Sequence, residues 1–86
     1  MFGGRVESVS LFCEESLAGV IVDRFGESIN MIRENGGFSV AVSVVVSPMF
    51  LSWVASFGGR IKITAPVSVC DAYRELLMSA LGENRS

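Results

Sequence analysis

Histidine is absent from the 86-residue chain, and lysine nearly so, Lys62 being the only one. Without histidine the chain lacks the commonest general base and the commonest metal ligand. Lys and Arg together number 7 against 9 Asp and Glu, a net charge of −2. The arginines Arg5, Arg24, Arg33, Arg60, Arg74 and Arg85 are scattered along the chain. Nucleic-acid affinity rests largely on Lys/Arg contacts to phosphate, so the chain by itself is a poor nucleic-acid binder. Cys13 and Cys70 are the only cysteines and form no CxxC pair. One bridge between them stays open as an alternative, but two reduced, buried thiols in a cytoplasmic protein are expected. No ligand cluster has metal-site spacing. The glycine pairs Gly36-Gly37 and Gly58-Gly59 lack the spacings of phosphate-cradling loops. The expectation is therefore no metal and no cofactor.

Charged residues make up 19% of the chain and apolar ones 50%, against usual values of about 25% and about 45–50%. The length predicts a single domain spanning 1–86, with flexible ends at 1–5 and 83–86. A domain this small buries only about 60–65% of the surface its unfolded chain exposes. The apolar excess thus leaves surface for a partner. The stretch "FSVAVSVVVSPMFLSWVASFGG", residues 38–59, is the one candidate membrane segment. It is interrupted by Ser39, Ser43, Ser47, Pro48 and Ser52 and changes period half-way, so it does not read as a span of about 20 apolar residues. The start "MFGGRVES" has no signal-peptide core. A soluble, cytoplasmic domain without membrane contact is expected.

Periodicity divides the chain into elements. Glu7–Cys13 alternates, placing Val9, Leu11 and Cys13 on one face of a strand. Glu14, Glu15 and Ser16 suit a helix start, and Leu17, Val20, Ile21, Arg24 and Phe25 recur at helical steps. Gly26 is placed to end that helix in a left-handed conformation. Ser28–Arg33 reads as a second strand, and Asn35-Gly36 as a hairpin turn supplying two positive φ angles. Phe38, Val40, Val42, Val44 and Val46 share one face of a third strand. Ser47 is a good N-cap and Pro48 a good first helical residue, and Phe50, Trp53, Val54 and Phe57 follow at helical spacing until Gly58-Gly59. Arg60–Thr64 is a fourth strand, broken by Pro66. Ser68 and Asp71 resemble a capping box, and Val69, Tyr73, Leu76, Leu77 and Ala80 define a last helix before Gly82.

This order predicts an α+β fold, the ferredoxin-like βαββαβ sandwich, with an antiparallel four-stranded sheet in the order 4-1-3-2 and an added C-terminal helix. Two helices then cover one sheet face. The other face carries Ser8, Ser10, Phe12, Asn30, Ile32, Ser39, Ala41, Ser43, Val45 and Lys62.

Candidate chemistry is sparse. Glu14 and Glu15 are adjacent, so on regular structure they do not converge, and an acidic helix start explains them. Ser47 and Ser68 read as caps with no base to activate them. Cys13 faces inward, away from the electropositive, partly exposed setting of a reactive thiolate. No catalytic residues are assigned, and an enzyme is not expected. The open sheet face lacks the aromatic and basic pattern of RNA-binding sheets, offering only Phe12 for stacking. Its flat, mostly uncharged surface is either a solvated face or a protein interface. The candidate interface residues are Phe12, Ile32, Ala41 and Val45.

Taken together, "VESVSLFCEESLAGVIVDRFGE" and "GGFSVAVSVVVSPMFLSWVASFGGRIKITAPVSVCDAYRELLMSAL" resemble the C-terminal extension of WYL-domain transcriptional regulators, the WCX domain. The most specific pieces are Asp23-Arg24-Phe25-Gly26, Ser47-Pro48 before Trp53, Phe57-Gly58, and the run from Pro66 to Leu76. The resemblance extends from about Val6 to Leu81. It implies a bacterial parent protein with a helix-turn-helix domain and a WYL ligand-sensing domain ahead of this extension, and DNA contact only through that parent. It further implies dimerisation and relay of effector state, with the effector-binding residues mainly in the WYL domain.

The resulting expectation is a non-catalytic regulatory and dimerisation module acting as a homodimer through the open sheet face, with exchange of the last helix as a second route to a dimer. The alternative is a small-ligand or single-stranded nucleic-acid sensor using the same face.

Overall fold

The computed structural model describes residues 6–26 and 29–82; the end segments 1–5 and 83–86, expected to be flexible, lie outside the described residues. Strand β1 (Val6–Glu14) leads through a 3-10 turn (Glu15–Leu17) into helix α1 (Ala18–Phe25). Strands β2 (Met31–Glu34) and β3 (Gly37–Val45) follow, then α2 (Pro48–Ala55), β4 (Ile61–Ala65) and α3 (Val67–Leu81). The four strands form one antiparallel sheet in the order β2-β3-β1-β4, matching the order expected from the sequence.

One apolar cluster holds the fold together. Val9, Leu11 and Cys13 of β1 meet Phe38, Val40 and Val42 of β3 and Ile61 of β4 on the inner sheet face. Against them pack Leu17 and Ile21, Phe50, Leu51 and Val54 from α2, and Val69 and Ala72 from α3. Among the described residues no polar or charged side chain is buried. Burial of this kind contributes about 25 cal/mol per Å² of apolar area, and in a small domain it must carry most of the stability.

Cys13 is fully buried and Cys70 partly so, both as free thiols. Burial pushes the Cys13 thiol from its ordinary 9.0 up to about 11, because the thiolate is disfavoured away from water. The stability this supplies is fully present below pH 9 and is lost as the pH rises towards 11. Tyr73, raised by burial as well, acts in the same direction at high pH. Denaturation midpoints should therefore fall between pH 9 and 11, and Cys13→Val should flatten the part of that fall due to the thiol.

Local signals in the sequence fared unevenly. Ser47 caps α2 as expected, its Oγ accepting from the Phe50 N–H at 3.3 Å with Pro48 in the first turn. Gly82 ends α3 in the left-handed conformation. Five expectations need correction. Gly26 has a positive φ of 94° but a ψ of 169°, so it turns the chain into an extended path open to glycine rather than a left-handed cap. In the hairpin only Gly36 has positive φ, at 84°; Asn35 does not, so one glycine suffices for the turn. Ser16 caps nothing: its hydroxyl donates to Glu14 at 2.9 Å and accepts from Arg60 at 3.0 Å. Ser68 and Asp71 form no capping box, because α3 begins at Val67, two residues before a Ser68 cap would start it. The Val69 and Cys70 N–H groups bond the Pro66 carbonyl at 3.0 and 3.1 Å, and Asp71 pairs with Arg74 instead. The second strand begins at Met31, later than expected, and Ser28 of that expectation lies outside the described residues.

The central strands outrun the edge strands. β1 and β3 pair over nine positions, from Val6↔Val45 to Glu14↔Gly37. β2 pairs only with residues 37–40, and β4 only with residues 10–13. Among the described residues no third strand pairs with Val6–Val9 or Val42–Val45, so that half of the sheet is a two-stranded ribbon.

Candidate interface on the open sheet face

The register places the outward residues in rows across the sheet. Val6 lies opposite Val45, Ser8 opposite Ser43, and Ser10 opposite Ala41. Ile32, Ser39, Phe12 and Lys62 form the next row from edge to edge. Glu34, Gly37 and Glu14 close the face at the hairpin end. None of these side chains belongs to the buried cluster, so the helices leave this face bare. Val6 is 66% exposed, Ile32 64% and Val45 43%, and Ala41 is also exposed.

Charge is confined to the margins. Glu34 accepts from the Ser39 hydroxyl, and Lys62 stands on the edge strand. Glu14 accepts from Ser16 and from Arg60 at 3.2 Å. The Ser16 hydrogen bond, and after it the Arg60 one, hold its carboxyl below the usual range. Glu15 pairs with Arg33. The neighbouring carboxylates Glu14 and Glu15 therefore serve different partners, and no shared acid-base centre forms between them.

Three of the four expected interface residues, Ile32, Ala41 and Val45, stand in the open. Phe12 is only partly exposed, because its ring lies across Gly37: a Cβ built there would sit 2.9 Å from the Phe12 ring and 2.1 Å from the Cys13 carbonyl oxygen. A strand glycine of this kind marks close approach of another backbone, and an aromatic laid over it covers the exposed main chain. Phe12 is thus partly a structural cover. Val6, which the sequence reading left outside the strand, is the apolar residue it missed. Its signal was the cross-strand partner Val45, visible only once the register is known.

A family model described as the WCX domain matches residues 5–81. The chain belongs to the WCX domain family. Comparison with curated proteins and with solved structures gave no significant match. Three of the four sequence pieces most specific to the WCX resemblance, all but the run from Pro66 to Leu76, meet around Trp53. Trp53 of α2 meets Phe25 of α1 edge-on at 5.7 Å, stacks near Phe50 at 6.3 Å and meets Phe57 edge-on at 5.1 Å. The Arg24 guanidinium lies 5.0 Å over the Trp53 ring. In this WCX domain Arg24, Phe25, Trp53 and Phe57 therefore join α1 to α2 on the side of the sheet opposite the candidate interface. They act in the fold, and the bare face takes no part in that junction. No helix among the described residues is long and apolar enough to cross a membrane, and no group of three metal-ligating side chains occurs among them.

Proposed function

We propose that this WCX domain is a non-catalytic regulatory and dimerisation module of a bacterial helix-turn-helix, WYL-type transcriptional regulator, and that a second copy covers its open sheet face. Family membership supports the regulator context. The strand order, with a helix between β1 and β2 and another between β3 and β4, supports the ferredoxin-like reading with α3 appended. DNA contact then belongs to the parent protein.

The observation that carries the interface is the exposure of Val6 and Val45 in one cross-strand row and of Ile32 in another, on a face without central charge. The two-stranded part of the sheet adds to it, because two-stranded ribbons are marginal alone and gain from a covering layer. A second copy supplies the same flat, uncharged surface and gives a closed, two-fold contact.

Sedimentation velocity tests this. Wild type should sediment as a dimer, and Val45→Glu with Ile32→Glu as a folded monomer whose melting temperature no longer rises with protein concentration. Phe12 is left intact, because its replacement would also uncover Gly37. A dimer mass that survives the double substitution would remove the outer face as the contact.

A further inference from the structure

Edge strand β4 carries a second surface, distinct from the open sheet face. Its pairing with β1 sets Cys13 opposite Ile61, Phe12 opposite Lys62 and Leu11 opposite Ile63. One position beyond, the Glu14 N–H donates to the Arg60 carbonyl at 2.9 Å. Antiparallel pairs alternate between bonded and non-bonded, so Phe12 and Lys62 are the next pair to exchange hydrogen bonds. The main-chain groups of Ile61 and Ile63 therefore point away from β1, out of the sheet edge. An independent contact agrees: the Ile63 carbonyl accepts from the Cys70 thiol of α3 at 3.3 Å. A thiol is a weak donor, and among the described residues no strand pairs with this edge. Beside the edge, β4 and the far half of α3 enclose an open groove of about 560 Å³, walled on the helix side by Tyr73, Leu77 and Met78. Lys62, by alternation, projects onto the outer face, and it has no ion pair among the described residues. The edge thus offers main-chain donors and acceptors two residues apart, an apolar wall on its inner side and one ammonium on its outer side. An extended chain with apolar residues flanking a carboxylate matches all three.

We propose that the β4 edge takes up an extended peptide segment of a partner protein as a fifth, antiparallel strand. Its apolar residues lie opposite Ile61 and Ile63, and an acidic residue lies opposite Lys62. The apolar side chains enter the groove along Tyr73, Leu77 and Met78. The acidic one stands on the outer face in a non-bonded pair with Lys62, the kind of pair in which side chains come closest. Main-chain bonds supply the affinity, and the groove and the ammonium supply the choice of sequence. The bonds lie at the sheet edge, so the site does not depend on the sheet-face dimer.

The test titrates the whole chain with the acetylated, amidated peptide Thr-Val-Glu-Val-Thr to millimolar concentration, followed by amide NMR. Saturable shifts are expected, centred on Ile61 and Ile63 and on the groove side of α3. Methylating the main-chain nitrogen of either peptide valine should weaken binding about tenfold, the scale of one hydrogen bond lost and its acceptor left bare. Methylating the glutamate nitrogen, which faces away from β4, should leave binding nearly unchanged. A peptide with lysine in place of glutamate should bind about fivefold more weakly, the scale of a cross-strand charge pair. Lys62→Glu, at an exposed position, should reverse that preference. No saturable binding would overturn the proposal. So would equal losses on methylating valine and glutamate, or a glutamate preference that survives Lys62→Glu. Ile61 and Ile63 amides that shift with protein concentration alone would assign the edge to a second copy and overturn it too. All of these outcomes are read independently of the dimer mass.

Discussion

Gly37→Ala should cost about 3 kcal/mol of stability, the upper part of the usual range for forcing an added group into a packed site. The new Cβ would meet the Cys13 carbonyl oxygen at 2.1 Å and the Phe12 ring at 2.9 Å. The ring can swing away; the carbonyl belongs to the central strand and cannot move without opening the β1–β3 pairing. Gly36→Ala, one residue earlier, supplies the control. There a Cβ meets nothing within 4 Å, but φ is +84°, so the cost is backbone strain of about 1 kcal/mol. Urea titrations of the two variants separate contact from conformation. Equal losses would mean that Cys13 does not approach Gly37 as described.

Trp53→Ala should cost a further large amount, about 3 kcal/mol, although Trp53 is only partly buried. The ring is the common neighbour of Phe25, Phe50 and Phe57 and carries the Arg24 guanidinium, so its loss undoes the α1–α2 junction. Arg24→Ala should cost about 0.5–1 kcal/mol, the cation–π contribution at an exposed position, and little or nothing in a Trp53→Ala background. Domains of this kind have total stabilities of order 5–15 kcal/mol; the Trp53 variant is therefore expected to lose a large share of it. As Trp53 is the sole tryptophan, fluorescence follows unfolding in the Arg24 variant, and circular dichroism in the variants that lack the ring.

The parts of the fold legible in the sequence were those governed by a single dominant force. Alternation in Val9, Leu11 and Cys13 and in Phe38, Val40 and Val42 reflects burial of one sheet face, and all six are buried. The switch from period two to helical spacing at Ser47-Pro48 was legible because cap and proline act locally, within the helix they begin. Misreadings fell where two partners competed. Ser16 had a helix N-terminus to cap but bonds Glu14 and Arg60, the latter 44 residues away. Asp71 had an N-cap serine nearby but pairs with Arg74. Such choices depend on tertiary neighbours, and no local pattern contains them. The same holds for the outer face. Ile32, Ala41 and Val45 followed from alternation, but the pairing of Val6 with Val45 and the cover Phe12 gives Gly37 need the β1–β3 register.

In the proposed dimer the bare sheet face serves recognition and the motif-bearing opposite side serves the fold. Methyl NMR spectra of the wild-type chain, recorded through a dilution series, test that division most directly. The methyls of Val6, Ile32 and Val45 should shift together with a single dissociation constant, while those of Ile21, Val54 and Leu81 stay in place. Methyls on the open face that do not move with concentration, or shifts centred on Leu77 and Leu81 of α3, would contradict the claim that a second copy covers the sheet.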